Sequence, residues 1–279
     1  MAFHVAQLIE LRDRGLINPS QAQIVVGTSA GALVSGLLAS GITLEHLKQA
    51  LVDRTATPEL QRPIDRLLAL ELPGFAGLRK PERSRRVAAS RHARVALWGT
   101  SLFGEGAIDS LEIAAEFSGV LPTRWPEPLH ICALHRNTGQ PKVWHQSHEQ
   151  PIDLAVAASC AVPGVFSPVT VDGEDYVDGG FWSPTNADVL AGMHLDEVVV
   201  ISPMSTPPGS RPITADHALR LGLHTLVRSE TRLVRSAGTK VTLIEPHRAV
   251  RQAMGVNFMD QGRVCAIFEA VESGYLASV

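Results

Sequence analysis

The chain contains 279 residues, of which 45% are hydrophobic and 19% are charged. This composition is typical of a folded globular protein and excludes an intrinsically disordered chain, and residues 1–279 fit a single α/β domain. The formal charge of -3 provides no net basic face, so we expect no nucleic-acid partner. The three widely separated cysteines, Cys132, Cys160 and Cys265, favour a reducing compartment over a disulfide framework or a zinc site.

The sequence predicts a cytoplasmic protein. Its longest strongly apolar stretch, AGALVSGLLAS, is shorter than the roughly 20 residues that a membrane-spanning helix needs. Glu10 and Asp13 follow a start without basic residues, which is atypical of a secretory signal.

Helical and strand patterns alternate along the chain. Hydrophobic spacing predicts a helix at residues 2–14, ended by Gly15, and a β-branched run predicts a strand at 24–26. Later helices are predicted at 32–40, 44–53, 59–71, 82–97, 152–159, 214–236 and 263–276, and later strands at 129–134, 142–145, 169–171, 175–177, 197–201 and 241–244. The segment Pro203–Pro212, with four prolines, is predicted to be a loop. The alternation predicts a sheet, mostly parallel, covered by helices on both faces.

The most informative motif is G-x-S-x-G, present as Gly27-Thr28-Ser29-Ala30-Gly31. In this motif a strained turn between a strand and a helix exposes a serine hydroxyl, and small neighbours are required. The pattern alone occurs by chance in about one chain in ten of this length. The predicted strand before it and helix after it strengthen the case that Ser29 is a nucleophile and that the turn contributes oxyanion donors.

A serine hydroxyl needs a base to take its proton. An α/β-hydrolase triad would place a histidine near the C-terminal end of the chain, where His217, His224 and His247 are the candidates. Against a triad, only one strand is predicted before Ser29.

Three segments together resemble a patatin-like phospholipase domain. They are GTSAGAL around Ser29, AASCAVPGVFSPV at 157–169 and YVDGGFWSPTNAD at 176–188, and their order and spacing are similar to the family across nearly the whole chain. The resemblance implies a three-layer α/β/α sandwich with a central, mostly parallel sheet. It also implies a cofactor-free lipid acyl hydrolase that cleaves fatty-acyl esters through a Ser29-Asp178 dyad and an acyl-enzyme.

The residues around Asp178 are compatible with this role. Asp178 follows a predicted strand, and Gly179 and Gly180 permit close approaches that other residues would obstruct. Asp-Gly dipeptides usually mark turns, as we expect for Asp172-Gly173. An aspartate with an ordinary pKa of about 3.9 is a weak base near neutral pH, so Asp178 should be desolvated.

One departure from the family concerns the start of the chain. Patatin-like domains open with a strand and a glycine-rich loop that supplies the oxyanion hole, and Met1 stands where the last glycine of that loop would be. Removing one such donor costs about 3 kcal/mol. We prefer a misplaced start as the explanation for the missing strand and glycine-rich loop. The alternatives that stay open are a catalytically impaired lipid-binding relative and the Ser-Asp-His triad enzyme.

Other features carry weaker predictions. Seven basic residues between Arg79 and Arg94 could contact a membrane surface peripherally or form a solvated helix face. Trp144-His145 and His148 lack the further ligands of a metal site, so no metal is expected, and no P-loop or dinucleotide motif is present. Four apolar residues just before the basic run could line an acyl channel or belong to the core: Leu70, Leu72, Phe75 and Leu78.

Overall fold

A computed structural model describes residues 1–70, 106–214, 216–256 and 260–274. The chain divides into two compact units, and the single domain expected from the sequence stays a prediction. The first unit comprises Met1–Ala22, Leu44–Arg54 and Ser183–Val279, and the second comprises Gln23–Thr43 and Thr55–Trp182. The predicted helix at 82–97 and the basic segment Arg79–Arg94 lie outside the described residues, as do Leu72, Phe75 and Leu78.

Helices and strands alternate in the described part of the chain, which confirms the predicted α/β class. A π-helical turn, Gln49–Asp53, extends the third helix. In chain order the elements are α1 (Ala2–Asp13), β1 (Val25–Thr28), α2 (Ala30–Ala39), α3 (Leu44–Lys48), α4 (Pro58–Leu68), α5 (Ser110–Phe117), β2 (Leu129–His135), β3 (Pro141–Trp144), α6 (Ile152–Cys160), β4 (Val169–Val171), β5 (Glu174–Asp178), β6 (Glu197–Ile201), α7 (His217–Ser236), β7 (Lys240–Ile244), α8 (Arg248–Met254) and α9 (Val264–Ser273).

Two helices were not predicted from the sequence, and both are short. Helix α5 has eight residues and begins where the Asp109 carboxylate accepts a hydrogen bond from the Leu111 N–H at 2.8 Å. Helix α8 has seven residues. Neither helix is long enough to show a clear apolar repeat against its flanking segments.

The sheet of the second unit is organised around strand β2. Strand β1 pairs with β2 in parallel, whereas β3 and β5 pair with it antiparallel, and β4 continues the sheet beyond β5. Residues 131–134 of β2 pair with β3 along one edge. Strands β1 and β5 therefore share the opposite edge, β1 at Leu129–Cys132 and β5 at Ala133–His135.

Because β1 and β5 run in opposite directions along that edge, their carboxyl ends meet. Thr28, the last residue of β1, pairs with Cys132, and Asp178, the last residue of β5, pairs with Ala133. The register of β2 thus brings Ser29, the residue after Thr28, next to the end of β5.

A two-residue turn fixes the register of the β4–β5 hairpin. Val171 pairs with Glu174, and the intervening Asp172 and Gly173 have φ values of 52° and 78°. Two consecutive positive φ values define the type I′ turn that Asp-Gly favours. The predicted turn at Asp172-Gly173 is confirmed.

Helices α2 and α6 pack against the sheet of the second unit and against each other. Helix α2 is apolar nearly all round, and its residues 32–37 are buried. Gly27 in β1 allows α2 to approach closely, since an added Cβ would lie 2.6 Å from the Ala32 Cα and 2.5 Å from the Ser35 Oγ.

The first unit has its own parallel strand pair and helical core. Strands β6 and β7 pair in parallel from Glu197↔Lys240 to Ile201↔Ile244, and α7 packs on β7. Helix α9 packs against α1 and α8. No helix in the part of the chain described by the structure combines the length and apolar character needed to cross a bilayer.

We expect Gly27→Ala to destabilise the protein by about 2 kcal/mol or more, because the new methyl group would overlap backbone atoms of α2. Denaturant unfolding measures the effect. Gly222→Ala is the matched control, since an added Cβ there meets nothing within 4 Å and alanine stabilises a helix by up to about 1 kcal/mol. Equal unfolding midpoints for Gly27→Ala and the unmodified protein would contradict the close packing of α2 on β1.

Candidate active site

Ser29 lies in the turn between β1 and α2 with a strained backbone. Its φ is 53° and its ψ is −128°, a region that residues with a Cβ rarely occupy. Such strain costs about 1–3 kcal/mol and persists only where the surroundings impose it. Ser29 is partly exposed in the part of the chain that the structure describes.

The backbone of Ser29 is held from two directions. Its N–H donates to the Ser159 Oγ at 2.9 Å. Its carbonyl accepts from the Ala32 N–H at 2.8 Å in the first turn of α2, and the Cys160 thiol donates to the same carbonyl at 3.1 Å. The C-terminal end of α6 and the start of α2 together maintain the strained turn.

Asp178 is a buried carboxylate at the end of β5. It is only 3% exposed, and its N–H donates to the carbonyl of Ala161 at 2.9 Å. Its Oδ1 accepts from the Gly180 N–H at 2.7 Å. Burial raises the pKa of Asp178 to about 6, although hydrogen bonds from Ser29 and Gly180 oppose this rise.

The side chain of Ser29 lies close enough to the carboxylate of Asp178 to lower its pKa. A partly exposed serine therefore lies beside a buried carboxylate whose pKa, about 6, is close to neutral. A base with such a pKa can take the serine proton and return it within one catalytic cycle.

The two glycines after Asp178 allow close approaches that a side chain would block. An added Cβ on Gly179 would lie 2.5 Å from the Cys132 carbonyl oxygen, and one on Gly180 would lie 3.0 Å from the Asp178 Oδ1. The absence of a side chain at Gly180 thus lets its N–H reach the carboxylate.

Cys160 is not activated as a nucleophile. Burial, and then the nearby Asp178 charge, raise the pKa of its thiol well above the ordinary value. The sulfur therefore keeps its proton, which is directed at the Ser29 carbonyl. Cys132 and Cys265 are also free thiols.

The three histidines considered for a triad lie in the first unit, whereas Ser29 lies in the second. Nδ1 of His224 lies 2.9 Å from the carboxylate of Glu245, so His224 already has a partner. His217 begins α7 and His247 precedes α8. Asp178 lies in the same unit as Ser29 and interacts with its side chain.

The short-spaced histidines of the β3 region contact each other. The His145 ring stacks on His130 at 5.1 Å between centroids and meets His148 edge-on at 4.6 Å. Burial and these neighbours lower the pKa of His145. The described residues contain no group of potential ligands that could hold a metal ion.

Sequence reasoning missed the contribution of residues 159–161 to the site. The AASCA run was used only as a point of resemblance, yet Ser159 and Cys160 bind the Ser29 backbone and Ala161 binds Asp178. The feature of the sequence that could have predicted this contribution is a polar pair, Ser-Cys, at the end of an otherwise apolar helix.

Residues 14–191, more than half of the chain, match the family described as patatin-like phospholipase. The chain belongs to the patatin-like phospholipase family. This assignment confirms the family resemblance and the patatin-like α/β fold class, and at the family level it indicates a hydrolase acting on lipid esters.

Its curated relatives include an uncharacterized NTE family protein of Mycobacterium bovis, 28% identical over 232 residues that make up 82% of this chain and 53% of the relative. An uncharacterized NTE family protein of Mycobacterium tuberculosis gives the same values. The chain therefore spans about half the length of the curated relatives that it matches. Among solved structures, VipD from Legionella pneumophila is 16% identical with a TM-score of 0.34, covering 64% of this chain and 43% of VipD.

We expect Asp178→Asn to stabilise the protein at high pH. Above the folded-state pKa of about 6, the native state holds a buried charge, whereas the unfolded state ionises near pH 3.9. The difference corresponds to about 3 kcal/mol. This cost is fully present above about pH 6 and disappears as the pH falls towards about 3.9.

Denaturant unfolding of Asp178→Asn at pH 8 and pH 4 measures this gain. Exposed Asp53 provides the control, since Asp53→Asn removes the same formal charge without relieving burial. A gain at pH 8 no larger than that of Asp53→Asn would contradict a desolvated Asp178.

Proposed function

We propose that this protein is a lipid acyl hydrolase that cleaves fatty-acyl esters with Ser29 as nucleophile and Asp178 as general base. The single observation that supports this most is that the register of β2 brings the partly exposed Ser29 next to the buried Asp178, whose pKa the Ser29 side chain lowers. Membership of the patatin-like phospholipase family indicates the substrate class.

In the acylation step, Asp178 takes the proton of the Ser29 hydroxyl as the Ser29 oxygen attacks the ester carbonyl carbon. Collapse of the tetrahedral intermediate breaks the bond to the alkoxide, which takes the proton from Asp178 and leaves as an alcohol. The acyl group stays bound to Ser29 as an ester.

The start of α2 stabilises the negative charge that develops on the carbonyl oxygen. Helix α2 begins at Ala30, directly after the nucleophile, and the first N–H groups of a helix have no partner within that helix. The N–H groups of Ala30 and Gly31 and the positive end of the helix dipole are therefore available to an oxyanion. Gly27 and Thr28 complete the turn on the strand side.

In the deacylation step, Asp178 takes a proton from water as the water oxygen attacks the acyl-enzyme. The second tetrahedral intermediate breaks the bond to Ser29 and releases the fatty acid, and the proton on Asp178 returns to the Ser29 oxygen. The same carboxylate thus acts in both steps, and no cofactor is required.

Asp178 is suited to this work because of its burial. An exposed carboxylate with an ordinary pKa of about 3.9 would seldom hold a proton near neutral pH. With a pKa of about 6, Asp178 is mostly ionised at neutral pH and is nevertheless a much stronger base than an exposed aspartate.

We expect Ser29→Ala and Asp178→Asn each to lower ester turnover by at least about 1,000-fold, because each removes one member of a unit that acts jointly. Hydrolysis of a short-chain ester and of a phospholipid in mixed micelles measures turnover. Labelling by a fluorophosphonate probe should be lost in Ser29→Ala.

Matched controls come from the same unit. Asp172→Asn changes the other Asp-Gly dipeptide, whose positive φ asparagine tolerates, and Ser118→Ala removes an exposed hydroxyl near the end of α5. Both should retain turnover. A folded His217, His224 or His247 variant that is as inactive as Ser29→Ala would favour the triad instead, and failure of Ser29 to label would favour a lipid-binding relative.

The pH dependence of turnover should report the Asp178 pKa. We expect kcat/KM to fall about tenfold per pH unit below a midpoint near pH 6, since protonation removes the base in the free enzyme. A neutral ester substrate keeps substrate ionisation out of the profile. An acid limb centred near pH 4 would mean that the operating base is a solvated carboxylate rather than Asp178.

A further inference from the structure

Ser159 forms a hydroxyl bridge between the nucleophile turn and strand β2. Its Oγ accepts from the Ser29 N–H at 2.9 Å and donates to the Cys132 carbonyl at 2.6 Å. Its exposed fraction is 0%, so water cannot replace either contact. The bridge therefore fixes Ser29 relative to the end of β2.

The direction of these hydrogen bonds matters. A serine hydroxyl has a single proton and accepting lone pairs, and here the proton is directed at the Cys132 carbonyl. A lone pair is consequently aimed at the Ser29 N–H. Because β2 holds Cys132 between β1 and β3, the acceptor that orients Ser159 is itself immobile.

Cys160 holds the other side of the same peptide unit. Its thiol donates to the Ser29 carbonyl at 3.1 Å, and the raised pKa of the thiol keeps that donor protonated. Two consecutive residues of α6 therefore bind the N–H and the carbonyl of Ser29. The next residue, Ala161, accepts from the Asp178 N–H at 2.9 Å.

These contacts oppose the relaxation of the strained Ser29 backbone. A φ of 53° with a ψ of −128° costs about 1–3 kcal/mol, and a residue in such a conformation relaxes unless it is held. Relaxation would rotate the Ser29 side chain away from Asp178. A displacement of about 1 Å in a catalytic group can cost about 100-fold in rate.

We propose that Ser159 and Cys160 are positioning residues that hold Ser29 in its strained conformation beside Asp178. This inference rests on the function proposed above. Neither residue exchanges a proton with the substrate; Ser159 acts through the N–H of Ser29 and Cys160 through its carbonyl.

The test compares Ser159→Ala with Ser110→Ala. Ser110 is also a buried serine of the second unit, and its hydroxyl donates to the carbonyl of Ser167. The two substitutions remove similar buried hydroxyls, but only the first touches the nucleophile turn. Turnover is normalised to the fraction of enzyme titrated by a fluorophosphonate, so that unfolded protein does not count.

We expect Ser159→Ala to lower kcat by about 100-fold with little change in KM, and Ser110→Ala to leave both near their unmodified values. The acid limb of kcat/KM should also move to higher pH in Ser159→Ala. The Ser29 side chain lowers the Asp178 pKa, so moving that side chain away lets the pKa rise. A variant that is merely less stable would lose active fraction without moving the limb.

A second pair of variants tests the hydrogen bond from Cys160 to the Ser29 carbonyl. It keeps the proposal testable if Ser159→Ala does not fold. Cys160 is only partly buried. Cys160→Ala should lower kcat several-fold, and Cys160→Ser, which keeps a donor for the Ser29 carbonyl, should restore it. Equal kcat values in Cys160→Ala and the unmodified enzyme would overturn the role of Cys160.

The results separate this inference from the proposed function. Turnover that persists in Ser29→Ala rejects the proposed function. An inactive Ser29→Ala, combined with a Ser159→Ala enzyme that has the kcat and acid limb of Ser110→Ala, rejects the positioning role of Ser159 alone. A lowered kcat together with a raised acid limb in Ser159→Ala supports both.

Discussion

The placement of Ser29 beside Asp178, at the edge of β2 that β1 and β5 share, is the constraint on which the second unit depends. It joins two residues that are far apart in the sequence, and strand β2 brings them together. Because β1 and β5 share one edge of β2 and run towards each other, their last residues pair with the adjacent residues Cys132 and Ala133. The separation of Ser29 and Asp178 is therefore set by the backbone pairing of the strands rather than by flexible side chains.

This arrangement buries a charge, and the burial has consequences for stability and for chemistry. Desolvation raises the pKa of Asp178 to about 6, which means that the native state is destabilised whenever the carboxylate is ionised. The same desolvation makes the carboxylate a stronger base. Stability and basicity are thus opposed at this single residue, which is common where an active site needs a perturbed pKa.

Much of the fold could be predicted from the sequence because its signals are local. The β-branched run before Gly27, the Asp172-Gly173 dipeptide and the apolar repeat of α7 each specify their own conformation. The bounds of β6 were predicted at Glu197–Ile201, where the structure has them. The contacts of Ser159 with the nucleophile turn could not be predicted in this way. They depend on a carbonyl of β2 and an N–H of the β1–α2 turn. No local pattern encodes such a contact.

The three segments that carried the resemblance to the family meet at one place in the structure. The GTSAG turn supplies Ser29, the AASCA run supplies residues 159–161, and the VDGG segment supplies Asp178 with its two glycines. All three contact the end of β2, where Gly179 leaves room at the Cys132 carbonyl that Ser159 also binds. Ser159 and Cys160 bind the Ser29 backbone and Ala161 binds the Asp178 N–H, so a change in the AASCA run would disturb the other two segments. The physical reason that three matches in register are so much more specific than one is that they are parts of a single hydrogen-bonded unit.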